Sequence, residues 1–237
     1  MTPRGGGEVR LPPGGRENGS GGRKRPMKRE KMITMAVSCA LTVLALVLAL
    51  IRRSPWCLIA AAAMAVSTLG DAVLAGVPGR LAIIKNRFVK GGLVFFAAHL
   101  LYILALAVSA GKSAAEIPKH FPLPFALFFA LTVFHGAFFY FRSRSPLPVP
   151  FFAATSAYLM TVGVHAAAAF AAFGRAGGAY ALNAAGALLF YLSDAILLAA
   201  KYGALRGKLP GVLIWITYAP AQMCLILGFF LLRAAPA

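Results

Sequence analysis

The sequence predicts an all-α, polytopic membrane helix bundle of seven transmembrane helices, or eight. Three observations carry this. Hydrophobic residues make up 60% of the 237 and charged residues only 13%, against roughly 25% charged in a soluble domain. The apolar residues gather into runs of about 20, the length that crosses ~30 Å of hydrocarbon as a helix. Prolines fall at the joints between runs, at Pro55, Pro78, Pro118, Pro146 and Pro210, where helices begin or end. A membrane β-barrel would need short alternating segments instead. No internal repeat stands out, so a carrier built from inverted halves is not suggested.

Residues 1–31 are rich in Gly, Pro, Arg and Lys. They hold too few apolar side chains to offset chain entropy, which predicts a disordered basic tail. The run Arg23 to Arg29 then abuts the first apolar stretch. That stretch has spanning length and no evident small-residue cleavage site, so it reads as an uncleaved helix and not a signal peptide. Spans are predicted at 32–51, 55–76, 88–109, 121–141, 147–171, 179–201 and 210–233. Residues 32–233 thus form one bundle, and 234–237 a short C-terminal tail.

The net charge of +18 invites a nucleic-acid partner, but the basic residues sit in the tail and loops. No groove-reading helix or zinc-finger spacing accompanies them. Such charges orient a membrane protein. With the N-terminus in the cytoplasm, only six of the 24 Lys and Arg face the other side: Arg52, Arg53, Lys112, Lys119, Arg175 and Arg233. The expected location is therefore a cell membrane, of the bacterial inner type, with the N-terminus inside. Lys85, Arg87 and Lys201 read first as orientation signals, and second as ligands for a lipid phosphate. Cys39, Cys57 and Cys224 lie singly in apolar runs, without metal or disulfide spacing, and read as small buried hydrophobes.

The informative residues are the polar ones inside the spans. The chain has two aspartates, Asp71 and Asp194, and both lie in apolar runs. A carboxylate at bilayer depth costs at least about 2.5–3.5 kcal/mol, so it is rare, faces inward and serves a function. The expectation is that the two acids meet in one buried polar cavity. Ser67 lies four residues before Asp71, on the same helix face, and Gly70 lets another helix approach. Gly92, Phe95, His99 and Tyr102 form one stripe of the third span. Gly186, Phe190 and Asp194 do the same in the sixth, with Ser193 adjacent. In the seventh, Tyr218 and Gln222 bracket Pro220, which should free a carbonyl and kink the helix. With alternating spans, Asp71, Asp194, His99, His135, Tyr218 and Gln222 fall at compatible depths. His165 and Asn183 fall nearer the outer side and fit less well.

The segments Ser67-Thr-Leu-Gly-Asp71-Ala-Val-Leu74, Phe88 to Tyr102, Gly186 to Asp194 and Thr217-Tyr-Ala-Pro-Ala-Gln222 resemble, in order and spacing, the signatures of the YhhN-type membrane family, the lysoplasmalogenases. The resemblance covers about residues 32–233. It implies hydrolysis of the vinyl ether bond of a lysoplasmalogen to a fatty aldehyde and a glycerophosphoethanolamine or glycerophosphocholine. It further implies that Asp71 and Asp194 are the important acids. The partners are then the lysophospholipid substrate and membrane lipid, with no nucleic acid, no metal and no cofactor. Family members usually have about eight spans, and this chain departs from them by lacking one hydrophobic segment before the first Asp motif.

Two carboxyls suit this reaction. Vinyl ether hydrolysis adds a proton to the alkene carbon, passes through an oxocarbenium ion and ends with water addition. One desolvated acid can hold the proton while a hydrogen-bonded carboxylate stabilises the cation, as in glycosidases. The expected assignment has Asp194 donating and Asp71 stabilising. Ser67, His99, Tyr102, Ser193, Tyr218 and Gln222 serve as binding or orienting residues, and a groove along Phe95, Phe96, Phe138 or Phe190 takes the tail. Two other readings stand beside this one. A zinc-dependent intramembrane amidase could use the histidines, although no His-x-x-x-His pair occurs. A proton-coupled transporter could use the acids as a relay.

Overall fold

The computed structural model describes residues 29–76, 86–111, 122–142 and 149–232. Seven helices account for nearly all of them: α1 Arg29–Arg52, α2 Pro55–Ala75, α3 Arg87–Ser109, α4 Pro122–Arg142, α5 Val149–Ala176, α6 Tyr180–Lys201 and α7 Leu209–Leu231. All seven are long and apolar enough to cross a membrane, and the chain is a multi-pass membrane protein. The helical count is seven among the described residues. The tail expected over 1–31 lies outside them, save its last three residues, which open α1. The short tail at 234–237 also lies outside.

Local chemistry fixes the boundaries. Pro55 sits in the first turn of α2, where its missing N–H costs nothing. The same helix ends at Gly76 in the left-handed conformation, φ 84°. Asn86 caps α3 by accepting from the Phe88 N–H at 3.0 Å. The fifth span runs to Ala176, five residues past the predicted end. Its alanine-rich sequence supports helix until Gly177 and Gly178, both at positive φ, turn the chain. Pro220 does not end α7, which continues as helix through it.

Consecutive helices pack antiparallel. Ser38 faces Asp71 and Thr42 faces Thr68 across α1–α2. Tyr158 faces Asp194 and Thr155 faces Tyr202 at the α5–α6 contact. The closest partnerships are α2 with α3 and α6 with α7, and α3 lies against α5. Small residues permit this. A Cβ at Gly70 would lie 2.8 Å from the Phe95 ring, and one at Gly186 would lie 2.8 Å from the Ala221 carbonyl. Ala166 to Ala169, Ala171 and Ala172 are buried along α5. Without a hydrophobic drive between helices in lipid, this close approach is where packing energy arises. The outer faces of α1 and α4 carry exposed Leu46, Leu50, Phe129, Val133 and Phe141, as lipid contact requires. Among described Lys and Arg, eight lie at the end where α1 begins (Arg29, Lys31, Arg87, Lys90, Arg142, Lys201, Arg206, Lys208) and three at the other (Arg52, Arg53, Arg175).

Candidate active site

Asp71 stands one turn from the end of α2, where α1, α2 and α7 meet. Its Oδ2 accepts from Ser38 Oγ at 2.6 Å and from Tyr218 Oη at 2.7 Å. The Tyr218 hydroxyl in turn accepts from Gln222 Nε2 at 3.2 Å, and Gln222 Oε1 accepts from Tyr102 Oη at 2.9 Å. A directed string of hydrogen bonds therefore runs from α3 through α7 to the α2 acid. Each donor points toward Asp71, which suits a carboxylate that accepts.

Asp194 is held by a second string. Its Oδ2 accepts from Tyr158 Oη at 2.5 Å, and His99 Nε2 lies 3.9 Å from the same oxygen. Across the ring, His99 Nδ1 is 3.0 Å from His165 Nδ1. One of these two facing nitrogens must carry the proton and the other accept it. The tautomer of His165 therefore determines whether His99 turns a donor or an acceptor toward Asp194. The strings also touch at their far ends, where Tyr102 stacks on His165 with centroids 5.3 Å apart and planes 6° apart.

The two acids line one cavity of about 210 Å³, together with Thr34, Leu74, Phe95, Ser193, Trp215 and Tyr218. It opens at the end of the bundle where α1 begins. The exposures separate two roles. Asp71 and Asp194 keep 8% and 5% of their surface, whereas His99, His165 and Gln222 keep none. The acids reach the cavity, and the groups behind them are sealed. Both face a space of molecular size.

Of the predicted residues, Asp71, Asp194, Ser193 and Tyr218 line this cavity, and His99, Tyr102 and Gln222 form the sealed layer behind it. Ser67 is fully buried one turn from Asp71, yet its hydroxyl reaches neither carboxylate. The Ser193 hydroxyl is turned to the Ile214 carbonyl at 3.4 Å. Three expectations need correction. His135 does not join the acids: its Nδ1 pairs with Tyr191 Oη at 2.9 Å, in a separate α4–α6 group with Thr132. His165, placed too near the outer side by counting, reaches His99, because α5 runs on to Ala176 and residue 165 lies near its middle. Of the four phenylalanines expected to line a groove, Phe190 is wholly buried and wedged against His99 (centroids 4.5 Å) and Tyr218 (5.3 Å). Phe138 lies on the outlying helix α4.

Two contacts were missed altogether, Ser38 and Tyr158. Both carried a signal. Ser38 and Thr42 are four apart on an otherwise apolar α1, and Thr155, Tyr158 and His165 fall at i, i+3 and i+10 on α5. Each is a polar stripe on one helix face. Among the described residues, no three of His, Cys, Asp and Glu are grouped so as to hold a metal ion.

A family model, the YhhN family, matches residues 33–229. The chain belongs to the YhhN family. The match takes in every helix that contributes to the cavity, and it covers Asp71, Asp194 and the two hydrogen-bonded strings. No curated protein matches the chain, and no solved structure matches it. Beyond family membership, the reading of this YhhN protein rests on its own residues.

Proposed function

We propose that this YhhN protein is a lysoplasmalogenase-like ether hydrolase, in which Asp194 is the general acid and Asp71 the stabilising carboxylate. The observation that carries the reading is the convergence of the chain's two aspartates, 123 positions apart in sequence, on one cavity. Their surroundings differ in the direction the chemistry requires. Asp71 accepts two hydroxyl hydrogen bonds, which favours the ionised form. Asp194 accepts one, beside a buried imidazole; both acids are held through Oδ2, and the second hydroxyl donor at Asp71 is what sets the two apart.

The proposed reaction balances as follows. Asp194 transfers its proton to the alkene carbon β to the ether oxygen, and the π electrons form the new C–H bond. The adjacent carbon becomes part of an oxocarbenium ion, held opposite the Asp71 carboxylate. Water adds to that carbon and gives its proton to Asp71. The hemiacetal collapses to a fatty aldehyde and the free glycerol hydroxyl, and the proton held by Asp71 makes good the one Asp194 released. General acid–base catalysis of this kind is worth roughly 10²–10⁴ in rate. The cytoplasmic orientation of the N-terminus, on the lysine and arginine bias, would open the cavity toward the cytosol.

The test is incubation of the purified protein with a lysoplasmalogen and with its saturated alkyl-ether analogue. Aldehyde release from the vinyl compound alone is expected. No aldehyde from either, under conditions where the protein remains folded, would overturn the reading.

A further inference from the structure

A second cavity, of about 180 Å³, lies between α3 and α5. Its lining is almost wholly apolar: Phe88, Gly92, Leu93 and Phe96 from α3, and Ala154 and Ala157 from α5. Ala154 and Ala157 are exposed, so the cleft faces lipid. Three features single it out from an ordinary groove. First, Leu74, Phe95 and Leu197 line both this cleft and the acid cavity, so the two spaces meet there. Second, Tyr158 belongs to its wall, and the Tyr158 hydroxyl is the group that donates to Asp194. Third, Lys201 Nζ sits 5.1 Å from the centre of the Phe88 ring, which marks the rim at the basic end of the bundle.

We propose that this cleft is the binding site for a single-chain lysophospholipid. The phosphate sits at Lys201, the ether linkage at the Leu74–Phe95–Leu197 junction, and the hydrocarbon chain runs on past Phe96 toward the middle of the membrane. The dimensions agree. Lys201 and Asp194 are seven residues apart on α6, roughly 10 Å of helix rise, comparable with the reach from a phosphate across a glycerol to the first chain carbons. Charge agrees as well, since the Lys201 ammonium over Phe88 suits the anionic part of such a lipid. The chain needs no transfer from water, because it already lies in hydrocarbon. The cleft therefore contributes orientation and not hydrophobic affinity, by holding the ether against the acid pair. Lipid reaches the Tyr158–Asp194 pair from the α3–α5 side, and water reaches it through the acid cavity between α1, α2, α6 and α7. The two reactants need not share an entrance.

Gly92 controls this passage. It lies between the rim and the junction, and a Cβ built there meets nothing within 4 Å. A side chain at 92 would start from open space, and a large one would take up part of the cleft. It would also replace a helical glycine, so folding should not suffer.

The proposal rests on the lysolipid hydrolase reading, and the experiment separates the two. A saturated alkyl-ether lysophospholipid bearing a diazirine within the first few chain carbons, next to the ether, is photolysed with the purified protein, and labelled residues are mapped by mass spectrometry. In parallel, aldehyde release from a lysoplasmalogen is measured. Labelling is expected on α3 and α5 within residues 88–96 and 154–158, and it should be competed away by unlabelled saturated lipid. Gly92→Phe should abolish that labelling and lower kcat/KM about tenfold or more by displacing the ether, and Gly92→Ala, which fills less of the cleft, should lower each by less. Lys201→Gln should weaken labelling at low salt and lose its effect at high salt. Label confined to α1 or α7, or a Gly92→Phe variant that labels and turns over like the parent, would overturn the cleft. Cleft labelling blocked by Gly92→Phe, with no aldehyde from the vinyl lipid, would leave the cleft standing and remove the hydrolase.

Discussion

The polar interior of the bundle has two levels that are chemically alike and physically unlike. At the level of Asp71 and Asp194, carboxyls and hydroxyls border an open cavity. One to two turns deeper, His99, His165, Tyr102 and Gln222 are entirely shut off from solvent. Both levels use interhelical hydrogen bonds of 2.5–3.0 Å. Only the first has space for a substrate. The contrast separates residues that can act on a ligand from residues that hold those in place. A sealed imidazole pair cannot meet a lipid, but it can fix which face of His99 is presented to Asp194.

The comparison can be broken most severely at the acids. Asp194→Asn and Asp71→Asn should each lower turnover by about 10³-fold or more, within the usual range or beyond it for an acid or base. The thermal transition in detergent should remain cooperative, because an amide preserves shape at both sites. Aldehyde release and a melting curve on the same preparation check this, and a fully active Asn variant would dissolve the distinction between levels.

His165→Phe should act through His99 alone. The ring is retained, the Nδ1 partner is lost, and His99 is released from a single tautomer. The expected outcome is a fall of kcat by about 10- to 100-fold with KM nearly unchanged, smaller than at either acid. Nitrogen NMR of the histidine side chains should show one tautomer of His99 in the parent and a mixture in the variant. A purely structural His165 would leave that spectrum alone.

Tyr102→Phe removes one donor from the string that ends on Asp71. Interhelical hydrogen bonds in membranes average about 0.6 kcal/mol and reach about 1.7. A drop of that order in unfolding free energy, read from an SDS titration, is expected, with activity lowered only a few-fold. The smallest effect is expected at His135→Phe. Its partner Tyr191 belongs to another contact, and turnover should stay within about twofold of the parent. A large loss there would show that α4 reaches the site by a route these contacts do not contain.

Much of the site was legible in the chain. Asp71 and Asp194 stood out because an acid in a membrane span is costly and therefore rare. The Phe95–His99–Tyr102 stripe and the Tyr218–Gln222 pair followed from helical spacing. Ser38 and Tyr158 were not found, although they make two of the shortest hydrogen bonds to the acids. Hydroxyls cost little in a helix and occur in every span, so composition does not mark them. His165 was misjudged for another reason. The predicted fifth span ended at 171, and the five further residues of α5 put position 165 near mid-helix.

What the sequence determined by itself is the class of molecule and the cast of polar residues. Apolar runs of spanning length leave the backbone no alternative to helix, since lipid offers it no hydrogen-bond partner. The tertiary structure decided the pairings. Gly70 and Gly186 bring α3 against α2 and α7 against α6. With these pairs in place Tyr218 reaches Asp71 and His99 lies beside Asp194, while α1 and α5 bring Ser38 and Tyr158. Which polar groups meet depends on the rotation of each helix about its axis, and contacts between small residues far apart in the chain set that rotation.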